Sequence, residues 1–225
     1  MEINRDVFTS GAQDNYNIRG DGYGPANFDR PHRVVISYVY EVPAIRRSGI
    51  LAKIFSGWRT SGIIIAQSGL PFSITDSLGG TIYGINGSRA SFAPGATIET
   101  ALLSGDVESR LSRYFNTAAF APAPVISAGG QINGEFPVAD SGTLFGNTGR
   151  NVLRGPGQRN FDAALARKAK LREASYLEFR AEFFNAFNNV NFALPHSNIA
   201  STDFGVIDRT SSSPRVIQLA LKLHF

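Results

Sequence analysis

The chain closes on PRVIQLALKLHF, Pro214 to Phe225, and this stretch restricts the fold more than any other. Counting inward from the C-terminus, Phe225, Leu223, Leu221, Leu219 and Ile217 take every second position. His224, Lys222, Ala220, Gln218 and Val216 lie between them. A period of two marks a strand with one apolar and one mixed face, because successive side chains of extended backbone point to opposite sides. Two surroundings accept such a strand. In a soluble domain the apolar face covers a core, and a few residues usually fray beyond the last pairing. In a membrane barrel that face meets lipid, the other meets the lumen, and a terminal aromatic sits in the interfacial girdle.

The 225 residues suffice for one domain with a sizeable core. An 11% aromatic fraction, with 17 Phe, 7 Tyr and 23 Gly, favours strands and turns over a helical bundle. The absence of cysteine excludes disulfides and thiolate metal sites. The net charge of +4 is spread along the chain, which argues against a nucleic-acid partner. A membrane helix needs a run of about 18 apolar residues, and runs such as Ile63–Ala66 are far too short. The opening MEINRDVFTSGAQDNYN has neither the basic n-region nor the apolar h-region of a secretory signal. An outer-membrane chain must be exported, so the expectation is the back end of a longer polypeptide, with the signal peptide outside it.

Residues 1–31 are rich in Gly, Asn, Asp and Pro and read as loop; the Arg19-Gly20-Asp21 tripeptide is best taken as chance. His32 to Val42 reads as a strand with Val34, Ile36, Tyr38 and Tyr40 on one face and Glu41 marking the wet one. Pro43 ends it, since it has no N–H for a ladder. Ala44 to Ser56 is a connection with a short helical pattern at Ile50, Leu51, Ile54 and Phe55. Gly57 to Ser68 is a second strand opening on Trp58, a girdle residue or a core one, and it continues past Pro71 to Phe72 and Ile74. Residues 77–140 show little regular pattern beyond a short helix at Asp106 to Arg113. So long an irregular stretch is uncommon in a compact domain, whereas extracellular barrel loops are long. Gly142 to Asn151 reads as a short strand. Arg159 to Ala169 is another, with Phe161, Ala163 and Leu165 opposite Asp162 and Lys168. In Ala174 to Ala186, Leu177, Phe179, Ala181 and Phe183 alternate with Glu178, Arg180 and Glu182. A helix would scatter those charges; a strand lines them on one face, toward solvent or a water-filled lumen. Asn185 to Asn191 reads as a turn and Asp203 to Arg209 as a short strand.

The sequence blocks FDRPHRVVISYVYEVP (Phe28 to Pro43), GW (Gly57, Trp58), SGLPF (Ser68 to Phe72), RYFNTAAFAP (Arg113 to Pro122), FGNTGRNVLRGPG (Phe145 to Gly157), FRAEFFNAFN (Phe179 to Asn188) and the terminal PRVIQLALKLHF occur in an order that resembles the C-terminal region of TonB-dependent outer-membrane receptors. The likeness is greatest to the Oar-like branch, whose N-terminus carries a carboxypeptidase-regulatory-like domain. It runs from about Asp14 to Phe225. The resemblance implies an all-β fold: a partial antiparallel transmembrane β-barrel forming the last six or seven strands, or about that number, of a 22-stranded barrel with a plugged lumen. It implies barrel strands at 32–76 and 141–225 around a long loop at 77–140, in the outer membrane of a Gram-negative bacterium. The implied partners are outer-membrane lipid, the remaining barrel strands and plug, the assembly machinery reading the C-terminal strand, and TonB acting through an N-terminal segment outside this chain. No cofactor is implied. Glu178, Arg180, Glu182 and Lys222 are expected to face the lumen. Ile217, Leu219, Leu221, Leu223 and Phe225 are expected to face lipid and to carry the assembly signal. With Phe225 periplasmic, 174–186 is expected to descend toward the periplasm, NAFNN to be a periplasmic turn, 159–169 to ascend, and 142–151 to supply an extra descending strand.

An enzyme needs a convergent constellation, and the sequence offers none. His32, His196 and His224 lack zinc-site spacing, and no nucleophile elbow occurs. Glu178 and Glu182 imitate a catalytic pair, but Arg180 between them favours a charge ladder. No catalytic residue is expected. Two other readings stay open: a self-contained small outer-membrane barrel, and a soluble β-rich binding module.

Overall fold

The computed structural model describes residues 22–43, 56–85, 87–132, 136–173 and 175–225, with isolated positions 13, 14, 17, 19, 49 and 134. The helical pattern at Ile50, Leu51, Ile54 and Phe55 and most of the Arg19-Gly20-Asp21 tripeptide lie outside these residues. The chain divides into two units. One is a sheet unit of residues 31–68, 157–192 and 210–225; the other, of 1–30, 69–156 and 193–209, is built from the long connections.

The sheet unit has five antiparallel strands in chain order: β1 (Arg33–Glu41), β2 (Trp58–Gln67), β3 (Gln158–Lys170), β4 (Tyr176–Phe184) and β5 (Val216–His224). Four of them form where the sequence alternates, and β2 forms around the β-branched run Ile63 to Ile65. The register puts like with like: Leu177, Phe179, Ala181 and Phe183 of β4 face Leu223, Leu221, Leu219 and Ile217 of β5. A slip of one residue would place every one of them against the charged face. The sheet is open, and β1 and β5 have no partner strand on their outer sides among the described residues.

The outline of the sheet is sheared. At one end Arg33, Gln67 and Gln158 share a row, while β4 and β5 begin four residues further along, where Phe184 faces Val216. At the other end β2 stops at Trp58, opposite Arg167, while β3 to β5 continue three residues to Lys170, Tyr176 and His224. An offset of three or four residues is about 10–13 Å along a strand, and β2 to β5 spans three spacings, about 14 Å. The strand ends therefore lie in two level planes if the strands tilt by about 40°, the tilt of barrel staves.

Four sequence expectations are corrected. Gly142 to Asn151 is not a stave: only Gly142–Thr143 is extended, and it pairs with Val125–Ile126. The rest turns away, Thr148 binding the Ala90 carbonyl and Asn151 taking φ 51. Asp203 to Arg209 is not a strand either; Gly205, at φ 85, donates its N–H to the His196 carbonyl and turns the segment. With neither inserted, β2 pairs directly with β3 and β4 with β5. The directions assigned to 159–169 and 174–186 therefore reverse. The turn after Lys170 lies at the Phe225 end, and Asn185 to Asn191 lies at the opposite end. Residues 71–76, read as a continuation of β2, belong to the other unit.

The connection unit has little regular structure but a real core. Short ladders pair Pro71–Phe72 with Leu153–Arg154, Thr75–Asp76 with Ser88–Arg89, and Ser91–Phe92 with Phe120–Ala121. Between Asp106 and Arg113 the helix shrinks to a single 3₁₀ turn, Glu108–Arg110. Phe115 is buried at the centre of an aromatic cluster with Phe72, Phe120 and Phe204, at centroid distances of 6.0, 5.6 and 5.1 Å. Ile74, Ala90, Ala101, Ala119 and Leu153 are also buried. Buried polar groups pin the loops that ladders do not reach. Asp76 accepts the Leu78 and Ala123 N–H groups at 3.0 and 2.8 Å. Arg89 donates to the Thr148 carbonyl at 2.7 Å. Arg154 holds Asp29 through a 2.7 Å ion pair and donates to the Gly69 carbonyl at 2.9 Å.

Candidate functional site

The two faces of the sheet are its working surfaces. The register joins the apolar halves of the five strands into one face: Val34, Ile36, Tyr38 and Tyr40 on β1; Trp58 and Ile64 on β2; Phe161, Ala163 and Leu165 on β3; then Leu177, Phe179, Ala181 and Phe183; then Ile217, Leu219, Leu221 and Leu223. Much of it is open, Leu219 being 70% and Leu221 67% exposed, with Phe225 beyond the strand at 98%. A contiguous apolar surface of this extent is not left to water in a soluble monomer. Aromatic rings brace it. Tyr38 lies over Gly62 and stacks on Phe161 at 6.5 Å, and Phe161 stacks on Phe187 at 5.0 Å. Trp58 meets Phe179 edge-on at 5.9 Å.

The opposite face carries every acidic residue of the five strands: Glu41, Asp162, Glu178 and Glu182. Glu178, Arg180, Glu182 and Lys222 all lie there, Glu178 being the direct cross-strand partner of Lys222. Arg180 bridges Glu182 at 2.6 Å, and the Glu178 carboxylate has Lys168 at 3.9 Å and His224 at 3.8 Å. Tyr176 stacks on His224 at 4.2 Å, with the Lys168 ammonium 5.1 Å from the Tyr176 ring. Partly exposed pairs of this kind are worth about 0–1 kcal/mol each, so they make the face wettable more than they stabilise the sheet. The face is not uniformly polar. Val35 pairs with Ile65, and Val39 and Ile63 lie nearby, forming an apolar strip.

Reading strand by strand missed one feature of the apolar face. Arg167 lies in phase with Phe161, Ala163 and Leu165, with its guanidinium 5.6 Å from the Trp58 ring. The same alternation would have found it. The connection unit also holds a cleft of about 730 Å³, lined among others by Asp76, Arg89, Arg150, Asn151, Ser197 and Asn198. These residues come from segments far apart in sequence, so no local motif announces them. In the same unit, His196 Nε2 lies 3.0 Å from Asp208 Oδ2. That contact, ahead of any other influence, holds the Asp208 carboxyl below its ordinary range.

An antiparallel sheet with one apolar and one charged face, cut on the slant that about 40° of tilt requires, defines a class: the wall of a membrane β-barrel. Comparison of the sequence with protein families gives the assignment. The outer membrane beta barrel domain family matches residues 2–218, and the chain belongs to it. It is therefore a protein of the bacterial outer membrane. No curated protein and no solved structure matches the chain.

Proposed function

We propose that the chain is the C-terminal wall and outer-loop section of a TonB-dependent transporter, contributing five staves and a folded loop unit to ligand uptake. The observation that carries this reading is where the resemblance motifs fall. SGLPF, RYFNTAAFAP and FGNTGRNVLRGPG supply Phe72, Phe115, Phe120, Thr148, Leu153 and Arg154, the core and pins of the connection unit. They are thus the residues that maintain one folded loop structure. Two further features agree. The smallest barrels have eight strands, so five staves call for more wall. The apolar strip of Val35, Val39, Ile63 and Ile65 on the charged face suits a packed plug better than open water. With Phe225 at the periplasmic side, the strand ends that open the long connections, Gln67 and Gln158, Phe184 and Val216, stand at the outer end, and Glu41, Trp58, Lys170 and Tyr176 stand at the inner one. Long outer loops and short inner turns are the rule for such barrels.

The test is uptake by cells expressing the full-length protein, with and without TonB, using a panel of ferric siderophores, cobalamin and oligosaccharides. Uptake of one member that vanishes without TonB supports the reading. Uptake indifferent to TonB overturns it.

A further inference from the structure

We propose that Arg167 and Trp58 form a binding site for the phosphate of an anionic glycerophospholipid, at the membrane boundary on the Phe225 side. The inference rests on the apolar face meeting lipid. On β3 that face reads Phe161, Ala163, Leu165, Arg167, Ala169, so a permanent cation interrupts an apolar series. An arginine facing lipid costs about 2–4 kcal/mol at the midplane but only about 0–1 near the interface. The register places Arg167 near the interface. It is opposite Trp58, the first residue of β2, and one strand spacing away. At about 40° of tilt its Cα is roughly 3 Å deeper than that of Trp58, well within the reach of a snorkelling arginine. The other arginine of this face, Arg159, stands near the far end of the same strand, about 20 Å away along the membrane normal. The two cations bracket the apolar band rather than enter it.

The local geometry suits a phosphate. The guanidinium is 5.6 Å from the Trp58 ring centroid, and Trp58 is itself fixed edge-on against Phe179 at 84°. An aromatic face orients the guanidinium, whose planar fork of N–H donors matches two phosphate oxygens. The acidic residues of the five strands are all on the other face, Glu41, Asp162, Glu178 and Glu182 among them.

The experiment uses the full-length protein purified in mild detergent, supplied with phosphatidylglycerol and examined by native mass spectrometry for retained lipid. Arg167→Ala should reduce retained phosphatidylglycerol by about five-fold. Arg167→Lys should keep part of it, and Trp58→Phe should fall between. Lys222→Ala, a cation lost from the opposite face of the same sheet, should leave retention unchanged. Heat-modifiable migration reports whether each variant is folded. Equal loss in Arg167→Ala and Lys222→Ala, or no loss in a folded Arg167→Ala, overturns the site. Displacement of the lipid by inorganic phosphate at equal concentration also overturns it, in favour of a free-phosphate site. Bimane labels at Leu165 and Leu219 report on the underlying reading. If brominated lipid quenches them while Arg167→Ala retains lipid, only this site fails. If they are not quenched, the lipid-facing assignment fails with it.

Discussion

At the scale of single residues, neighbouring positions on β5 should respond oppositely to one substitution. Leu221 is on the apolar face, three strand spacings from Trp58 in the same row, and so roughly 9 Å deeper at about 40° of tilt. An arginine there should destabilise the barrel by roughly 2–4 kcal/mol. Ala220 is on the charged face, opposite Arg180. In the full-length protein, Leu221→Arg should lower the fraction with heat-modifiable migration and Ala220→Arg should not; equal tolerance would mean that the strand does not meet lipid. A second residue-scale prediction concerns Asp208, in the connection unit. The His196 contact at 3.0 Å favours its ionised form in the fold and lowers its folded pKa. The stabilisation is therefore complete above the ordinary carboxylate value and is lost as pH falls through the lowered one. Digestion of 193–209 by an acid-active protease should accelerate as pH falls below the ordinary carboxylate value of about 4. Asp208→Asn should remove that dependence, and an unchanged profile would rule the contact out as its cause. The alternation around Leu221 is written in adjacent residues and can be read without coordinates. The His196–Asp208 contact depends on a turn at Gly205, which the sequence concealed behind a strand-like pattern.

At the scale of elements, the long alternating strands were legible to within a residue or two: 32–42 against Arg33–Glu41, 57–68 against Trp58–Gln67, 174–186 against Tyr176–Phe184. Period-two patterning over nine residues is redundant, so one exception does not hide it. The weak segments misled because Gly142–Asn151 and Asp203–Arg209 are held by distant side-chain and backbone contacts instead of ladders. The apparent looseness of 77–140 had the same cause. Its order comes from Phe115, Asp76 and Arg89 meeting partners tens of residues away. One element-level interaction is testable at Gly62 of β2. A Cβ there would lie 2.5 Å from the Asp162 carbonyl oxygen and 2.7 Å from the Tyr38 ring. Gly62→Ala should push Tyr38 off its stack with Phe161 and destabilise the sheet by roughly 1–3 kcal/mol. The temperature at which the folded band disappears should drop. A band as heat-resistant as wild type would show that β1 and β2 accommodate the methyl group by shifting together.

At the scale of the molecule, the decisive quantity is the parity of the strands. Each neighbouring pair is antiparallel, so β1 and β5 run in the same direction. Joining them to each other would create a parallel seam, whereas bacterial single-chain barrels are antiparallel with an even number of strands. On the proposed transporter reading, the strands that complete the wall are therefore odd in number. Parity also sets which connections share a side. Lys170 pairs with Tyr176 in the same row as His224, so the 171–175 turn and the C-terminus are together. Phe184 and Val216 start the opposite end, and Asn185 to Asn191 belongs with them. A strand inserted at 203–209 would have put NAFNN beside Phe225. Two cysteines distinguish these arrangements. Glu173 is exposed in the short turn, and Val190, 57% exposed, follows NAFNN. In intact cells carrying the full-length protein, a membrane-impermeant maleimide should label Val190→Cys. It should label Glu173→Cys only after the outer membrane is permeabilised. Labelling of Glu173→Cys alone in intact cells would overturn the arrangement, by inverting the barrel or by requiring a strand between β4 and β5. Labelling of both would mean that β4 does not cross the membrane, because two turns at opposite ends of a spanning strand cannot both face the medium.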